Sequence, residues 1–401
     1  MTKSMQPVAK PYIRPYPRPP SQPYQTQTEK GLNDSNILLL TCGTGEGHNH
    51  AALAVAEELE RRRIPYAMEN PLSLCSQRTG KLVDSVYNRM IQKSPRTFNF
   101  LYKAGSLYEN TGRTSPVYFA VAHCADGLSA YIQERCFSAI LCTHLFAMEA
   151  MAAVRNNGLC TIPCYGLLTD YTCIPFVKES RLDGYFVPHS DMGIEMAEKG
   201  FPIDLIHVTG IPVGRKFIRH TDKAAARSKL GIPKDHRFLL VMGGGAGSGN
   251  PVPLCQELLK YPGKWEIGVM TGRNHDMMKM LKRQLSGEKA IIPIPYTDEM
   301  DSYMAAADVL ITKPGGLTST EAAVANIPMV HLLNYKACET GNAEFFSSRG
   351  MSVWAKDEKE AAAAALKLIL NRAERERMLA AQQHFIPRNA AKDIVERVVN
   401  P

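Results

Sequence analysis

The feature that most restricts this chain is a short apolar run that ends in glycines and leads straight into a helix, and it occurs twice. The first copy runs from Asn36 to Cys42 and turns at Gly43-Thr44-Gly45-Glu46-Gly47-His48-Asn49. It continues from Asn49 to Arg63 with Ala52, Val55, Ala56 and Leu59 at helical spacing. The second runs from Arg237 to Met242 and turns at Gly243-Gly244-Gly245-Ala246-Gly247-Ser248-Gly249. Further apolar runs follow each copy. After the first they lie at Tyr66 to Glu69, Ala139 to Thr143, Thr161 to Leu168, Tyr185 to Val187 and Leu205 to Val208. After the second they lie at Glu266 to Met270, Ala290 to Pro293, Val309 to Ile311 and Pro328 to His331. Strands that alternate with helices imply a parallel sheet with right-handed crossovers. The expected fold class is α/β, with two Rossmann-like doubly wound domains.

The 401 residues suit that division, since single domains run to about 150–200 residues. The expected boundaries are 35–212 for the N-terminal domain, 213–235 for a linker and 236–387 for the C-terminal domain. Residues 388–401 form a last helical stretch, Ala390 to Val399, packing back on the first domain. Residues 1–34 read differently. Pro7 to Tyr24 holds seven prolines, three tyrosines and three basic residues with few aliphatics, which predicts a disordered tail.

No stretch of about 18 apolar residues appears, and the N-terminus lacks the apolar segment of a secretory signal. The ten cysteines include no CxxC pair and suggest neither a disulfide framework nor a zinc site. Reduced thiols in a cytoplasmic protein are expected, with no metal site. The net charge of +8 favours anionic partners without choosing among phosphates, nucleic acid and an acidic membrane.

Glycines between a strand and a helix let backbone N–H groups approach a ligand where the helix N-terminus favours negative charge. In the first loop, Gly43, Gly45, Gly47 and Asn49 surround His48. That histidine has the chemistry of a general base near neutral pH, and the competing reading is a capping or surface histidine. A dinucleotide loop is the other alternative, because Glu69 lies about 20 residues on. The second loop offers Gly244, Gly245 and Ser248 as a phosphate nest. A third segment, Thr312 to Ala322, carries Lys313, Pro314, Gly315, Gly316 and, inside the following helix, Glu321. A fourth, Cys338-Glu339-Thr340-Gly341-Asn342, puts Glu339 and Asn342 on one face of a helical turn. Residues Arg78 to Phe119 carry seven basic and two acidic residues interleaved with aromatics. Within that stretch, Arg89, Lys93, Arg96, Phe98, Phe100, Tyr102 and Lys103 suit the surface of an anionic bilayer. A solvated helix pair is the alternative. No nucleic-acid fold accompanies them.

Together these segments resemble the GT-B glycosyltransferases of the MurG-like class. More closely they resemble the monogalactosyldiacylglycerol synthases and processive diacylglycerol glucosyltransferases. The resemblance runs from Asn36 to Pro387. It is carried by Gly43 to Asn49, Leu168-Thr169-Asp170-Tyr171, Thr209-Gly210-Ile211-Pro212-Val213, Ile311 to Glu321 and Glu339 to Phe346. It implies two domains facing across a cleft, with UDP-glucose or UDP-galactose held by the C-terminal domain and diacylglycerol or a related lipid by the N-terminal one. Gly244, Gly245 and Ser248 would then line the diphosphate, and Lys313 to Gly316 would lie by uracil, diphosphate or sugar. Glu321 would take the ribose, and Glu339 and Asn342 the sugar. His48 and Asp170 would stand at the acceptor hydroxyl, with His48 the favoured base and the reverse assignment open. The UDP-sugar is a co-substrate. No tightly bound cofactor or metal is implied, and a divalent cation would at most stimulate. The enzyme would work from the cytoplasm, peripherally on the inner face of the cell membrane. A soluble acceptor and a UDP-sugar epimerase are the alternatives on the same scaffold. Two departures stand out. The family's tryptophan and histidine are missing from Ile174 to Glu179, and Cys338 replaces a glutamine before Glu339.

Overall fold

The computed structural model describes residues 35–43, 46–74, 105, 108, 111, 113–219, 221–243, 247, 249–332 and 338–400. The proline-rich tail lies outside them, as do Gly45, Gly244, Gly245 and Ser248. Arg89, Lys93, Arg96, Phe98, Phe100, Tyr102 and Lys103 lie outside them too.

Two six-stranded sheets form from the apolar runs. The first takes β1 (Ile37–Leu40), β2 (Tyr66–Glu69), β3 (Ala139–Cys142), β4 (Cys164–Leu167), β5 (Gly184–Val187) and β6 (Ile206–Val208) in the order β2-β1-β3-β4-β5-β6. The second takes β7 (Arg237–Met242), β8 (Trp265–Gly272), β9 (Ile291–Pro295), β10 (Val309–Thr312), β11 (Met329–Leu332) and β12 (Val353–Ala355). Its order is β12-β11-β10-β7-β8-β9. Every pairing is parallel. Helices cover both faces, so the central strands are buried on both sides and read as continuous apolar runs. The edge strand β12 is only partly buried, and its three residues carried no pattern to announce it.

In such sheets ligands bind beyond the carboxyl ends of the strands where the strand order reverses. In the first sheet that point lies between β1 and β3, above the loop that leads to His48. In the second it lies between β7 and β10, the strands that end at Met242 and at Thr312, just before Lys313 to Gly316. The two domains meet with these ends facing, as the GT-B expectation requires. One apolar cluster continues across both, from Val55 and Tyr171 to Leu317 and Phe345.

Residues 213–235 carry two helices, Arg215–Ile218 and Lys223–Leu230. Arg227 anchors the second to the C-terminal domain, donating to the Asp308 carboxylate at 2.7 Å and the Ala306 carbonyl at 3.0 Å. The last helix, Ala390–Val399, returns to the first domain. It buries Ile394, Val395 and Val398, and Arg62 donates to its Lys392 carbonyl at 3.1 Å. Most described cysteines are free, but Cys124 is disulfide-bonded, which corrects the expectation of uniformly reduced thiols. Spacing along the chain could not reveal it, because a disulfide needs two side chains brought together in space.

Candidate active site

The helix Glu46–Arg61 starts directly after the β1 loop and places His48 in its first turn. The His48 Nδ1 lies 2.8 Å from the carbonyl oxygen of Thr143, the residue after β3. A carbonyl only accepts, so Nδ1 holds the ring hydrogen and the lone pair stands on Nε2. The Thr169 hydroxyl, 2.9 Å from the same Nδ1, steadies the ring from the β4 side. Burial lowers the His48 pKa below its ordinary 6.5, and the nearby Asp170 charge partly opposes this. A neutral imidazole with a free Nε2 is the form a general base needs. The ring of His144 packs edge-on at 4.6 Å and is itself kept neutral by burial. Its Nδ1 accepts from the Phe146 N–H at 3.0 Å and caps the helix Leu145–Asn156.

Other described residues of the first loop fix its place. Asn49 accepts the Thr41 hydroxyl at 2.6 Å, tying the end of β1 to the helix. Gly47 faces the opposite domain, and a Cβ there would stand 3.6 Å from Leu317. Gly43 is exposed. Glu46 pairs with Arg273 across the cleft.

The segment Thr169 to Thr172 leaves β4 and presses on two helix N-termini of the other domain. At Gly316 a Cβ would come within 2.0 Å of the Thr169 carbonyl oxygen, so only glycine fits there. At Gly341 a Cβ would meet the Thr172 side chain at 2.9 Å. Between these points Asn342 is fully buried. Its Nδ2 donates to Asp170 Oδ1 at 2.8 Å and to the Pro314 carbonyl at 3.0 Å, and its Oδ1 accepts from the Tyr171 N–H at 2.7 Å. Both amide hydrogens are therefore engaged, and none is left for a sugar hydroxyl. Tyr171 stacks on Phe345 at 4.3 Å and meets the Thr320 hydroxyl at 2.8 Å. Sequence reasoning missed this seam, because its partners lie about 150–170 residues apart along the chain.

On the C-terminal side Lys313 donates to Glu339 Oε1 at 2.8 Å. Among the described residues no group donates to the buried Glu339 Oε2, so that oxygen is an acceptor beside a cation. Gly315 precedes the helix Gly316–Val324 as its cap. Inside that helix Glu321 is buried, and burial pushes its pKa up to about 8, opposed by the charge of Lys216. An uncharged carboxyl there is suited to exchange hydrogen bonds with hydroxyls. Among the described residues no three His, Cys, Asp or Glu side chains converge on a metal position.

The segment that departs from the family pattern sits in the N-terminal domain. Phe176 takes a left-handed backbone, φ 74°, and its ring packs against Gly105, where a Cβ would lie 3.0 Å away. Glu179 accepts from the Ser115 N–H at 2.9 Å and faces Glu149. Glu149 is fully buried, and among the described residues no group donates to either of its oxygens; in its protonated form it can share a hydrogen bond with Glu179. Burial and the Glu179 carboxylate push its pKa up to about 9.

The profile of the monogalactosyldiacylglycerol (MGDG) synthase family matches residues 48–213, and that of the glycosyltransferase family 28 C-terminal domain matches residues 238–398. A processive diacylglycerol beta-glucosyltransferase of Bacillus licheniformis is 26% identical over 334 residues, covering 80% of this chain and 83% of that protein. One from Staphylococcus carnosus is 25% identical, covering 82% and 83%. The crystal structure of MurG from Acinetobacter baumannii superposes with a TM-score of 0.59 at 18% identity, covering 92% of this chain and all of that one. The UDP complex of MnaA from S. aureus gives 0.61 at 12%, covering 91% and 96%. At those identities the structures speak for the fold alone. The two profiles divide the chain at the same place as the two sheets, and on that ground it belongs to the GT-B hexosyltransferases that join an MGDG synthase N-terminal domain to a family 28 C-terminal domain.

Proposed function

We propose that the protein transfers a hexose from UDP-glucose or UDP-galactose, with inversion, to the free hydroxyl of diacylglycerol or a closely related lipid, giving a β-glycosyl lipid. The observation that carries this is the His48 imidazole, held as the Nδ1–H tautomer by Thr143 and set beside Asp170 at the seam between the domains. The lipid hydroxyl oxygen attacks the anomeric carbon. Its proton passes to His48 Nε2 as the bond from that carbon to the UDP oxygen breaks, and the electron pair leaves on the β-phosphate. Asp170 stabilises the imidazolium that forms. The departing diphosphate is met by backbone N–H groups of the second glycine loop, by Gly315 and Gly316 at a helix N-terminus, and by Lys313. Glu321 takes the ribose hydroxyls. The Oε2 of Glu339 takes a sugar hydroxyl.

The acceptor is proposed from the relatives, which are named for diacylglycerol, and from the basic and aromatic stretch of residues 78–119. The net charge of +8 and the same basic and aromatic stretch suit an encounter with the lipid at the surface of an anionic bilayer, and no described helix is long and apolar enough to cross a membrane. The test incubates the purified full chain with UDP-glucose or UDP-galactose and diacylglycerol in vesicles containing phosphatidylglycerol. A glycosyl diacylglycerol of β configuration is the expected product. Transfer to soluble hydroxyl compounds only, or epimerisation of the sugar without any acceptor, overturns the reading.

A further inference from the structure

The three hydrogen bonds of Asn342 join what two domains must bring together. One goes to the Pro314 carbonyl in the Lys-Pro-Gly-Gly loop, one to the carboxylate of Asp170, and one comes from the Tyr171 N–H. The orientation of the amide is fixed by these partners. Turned over, it would set its NH₂ against an N–H and its oxygen against two oxygens. The residue is fully buried, so water cannot substitute for any partner. Neighbouring contacts close on the same line, with Gly316 against the Thr169 carbonyl, Gly341 against Thr172 and Tyr171 seated on Phe345.

We propose that Asn342 is the positioning residue of the closed cleft, latching the donor loop to the acceptor domain and orienting Asp170 toward His48. This rests on the reading of His48 and Asp170 given above. It assigns Asn342 a task other than holding the sugar. The donor half alone supplies Lys313, Glu321 and Glu339, so UDP-sugar binds without the latch. The latch matters for the step in which base, acceptor and anomeric carbon are held together.

The test compares Asn342→Ala with the wild-type full chain. Turnover falls about 10- to 100-fold, the worth of a hydrogen bond to a charged group, while the KM for UDP-sugar moves less than about threefold. Small-angle scattering of the unliganded variant shows a larger radius of gyration, because the seam opens. A rise of about tenfold or more in the KM for UDP-sugar with turnover and radius unchanged would make Asn342 a sugar contact and overturn the proposal. A lower melting temperature with normal turnover would overturn it in favour of a packing role. Should Asn342→Ala fail to fold, Gly341→Ala wedges the same seam from the Thr172 side and leaves Asn342 in place, and the same split is expected. If wild-type enzyme glycosylates no lipid, the proposed function fails. The scattering and UDP-affinity measurements still decide on the latch.

Discussion

His48 Nδ1 donates to the Thr143 carbonyl oxygen across 2.8 Å, joining the loops that follow β1 and β3 at the reversal of the first sheet. The bond explains why a histidine at a helix start is more than a cap here, since its Nδ1 is spent inside the domain and its Nε2 is left for chemistry. Replacing His48 by alanine is expected to lower turnover about 10²- to 10⁴-fold while UDP affinity stays within about twofold. Turnover near wild type would remove His48 as the base.

The same environment sets a pH dependence. Burial places the His48 pKa below 6.5, so the neutral, base-competent form persists below the pH at which a solvent-exposed histidine protonates. The kcat/KM profile should stay level as pH falls to 6.5 and decline only under it. A midpoint above 6.5 would mean that Asp170 outweighs burial, or that another group is the base.

Glu339 offers one oxygen to Lys313, and among the described residues no group donates to its other, buried oxygen. An unpaired buried acceptor is costly, and a ligand hydroxyl that fills it regains the loss. Glu339→Ala is expected to raise the KM for UDP-sugar about tenfold or more and to leave the affinity for UDP itself within about twofold. Titration calorimetry with both ligands separates the two. Equal losses for UDP and UDP-sugar would move Glu339 to the diphosphate.

Much of the fold is legible in the sequence. The strands from Ile37 to Leu332 came from apolar runs between turn residues, and that signal is strong because strands buried on both faces tolerate few polar residues. Lys313 and Glu339 lie beside helix starts, and Glu321 lies within the helix Gly316–Val324 that the glycines announced. The contacts of Gly316 and Asn342 with the other domain were not legible. Glycine in a loop looks the same whether it clears room for a phosphate or for the Thr169 carbonyl of another domain. The sequence places Asn342 beside Glu339 but does not show its partners Asp170 and Tyr171, which belong to a loop 171–172 residues away. The acid pair Glu149 and Glu179 was invisible for the same reason.

Glu321 links function to stability. Burial pushes its pKa up to about 8 in the folded protein from about 4.5 in an exposed chain. Between those values the folded state holds a proton that the unfolded state has released. Stability is therefore full below pH 4.5 and is lost as pH rises through 8. At about 1.36 kcal/mol per unit, the cost reaches roughly 3 kcal/mol at pH 7 and about 5 kcal/mol at pH 8, as an upper bound. Glu321→Gln keeps the shape and removes the ionisation. Without ligand the variant should melt at the same temperature as wild type near pH 4.5 and at a higher one near pH 8. Its affinity for UDP should fall about tenfold or more, because the carboxyl is the proposed ribose acceptor. Thermal melts from pH 4.5 to 8, with and without UDP, give both numbers. A melting difference that does not change with pH would show that Glu321 is not buried uncharged. Unchanged UDP affinity would place the ribose elsewhere.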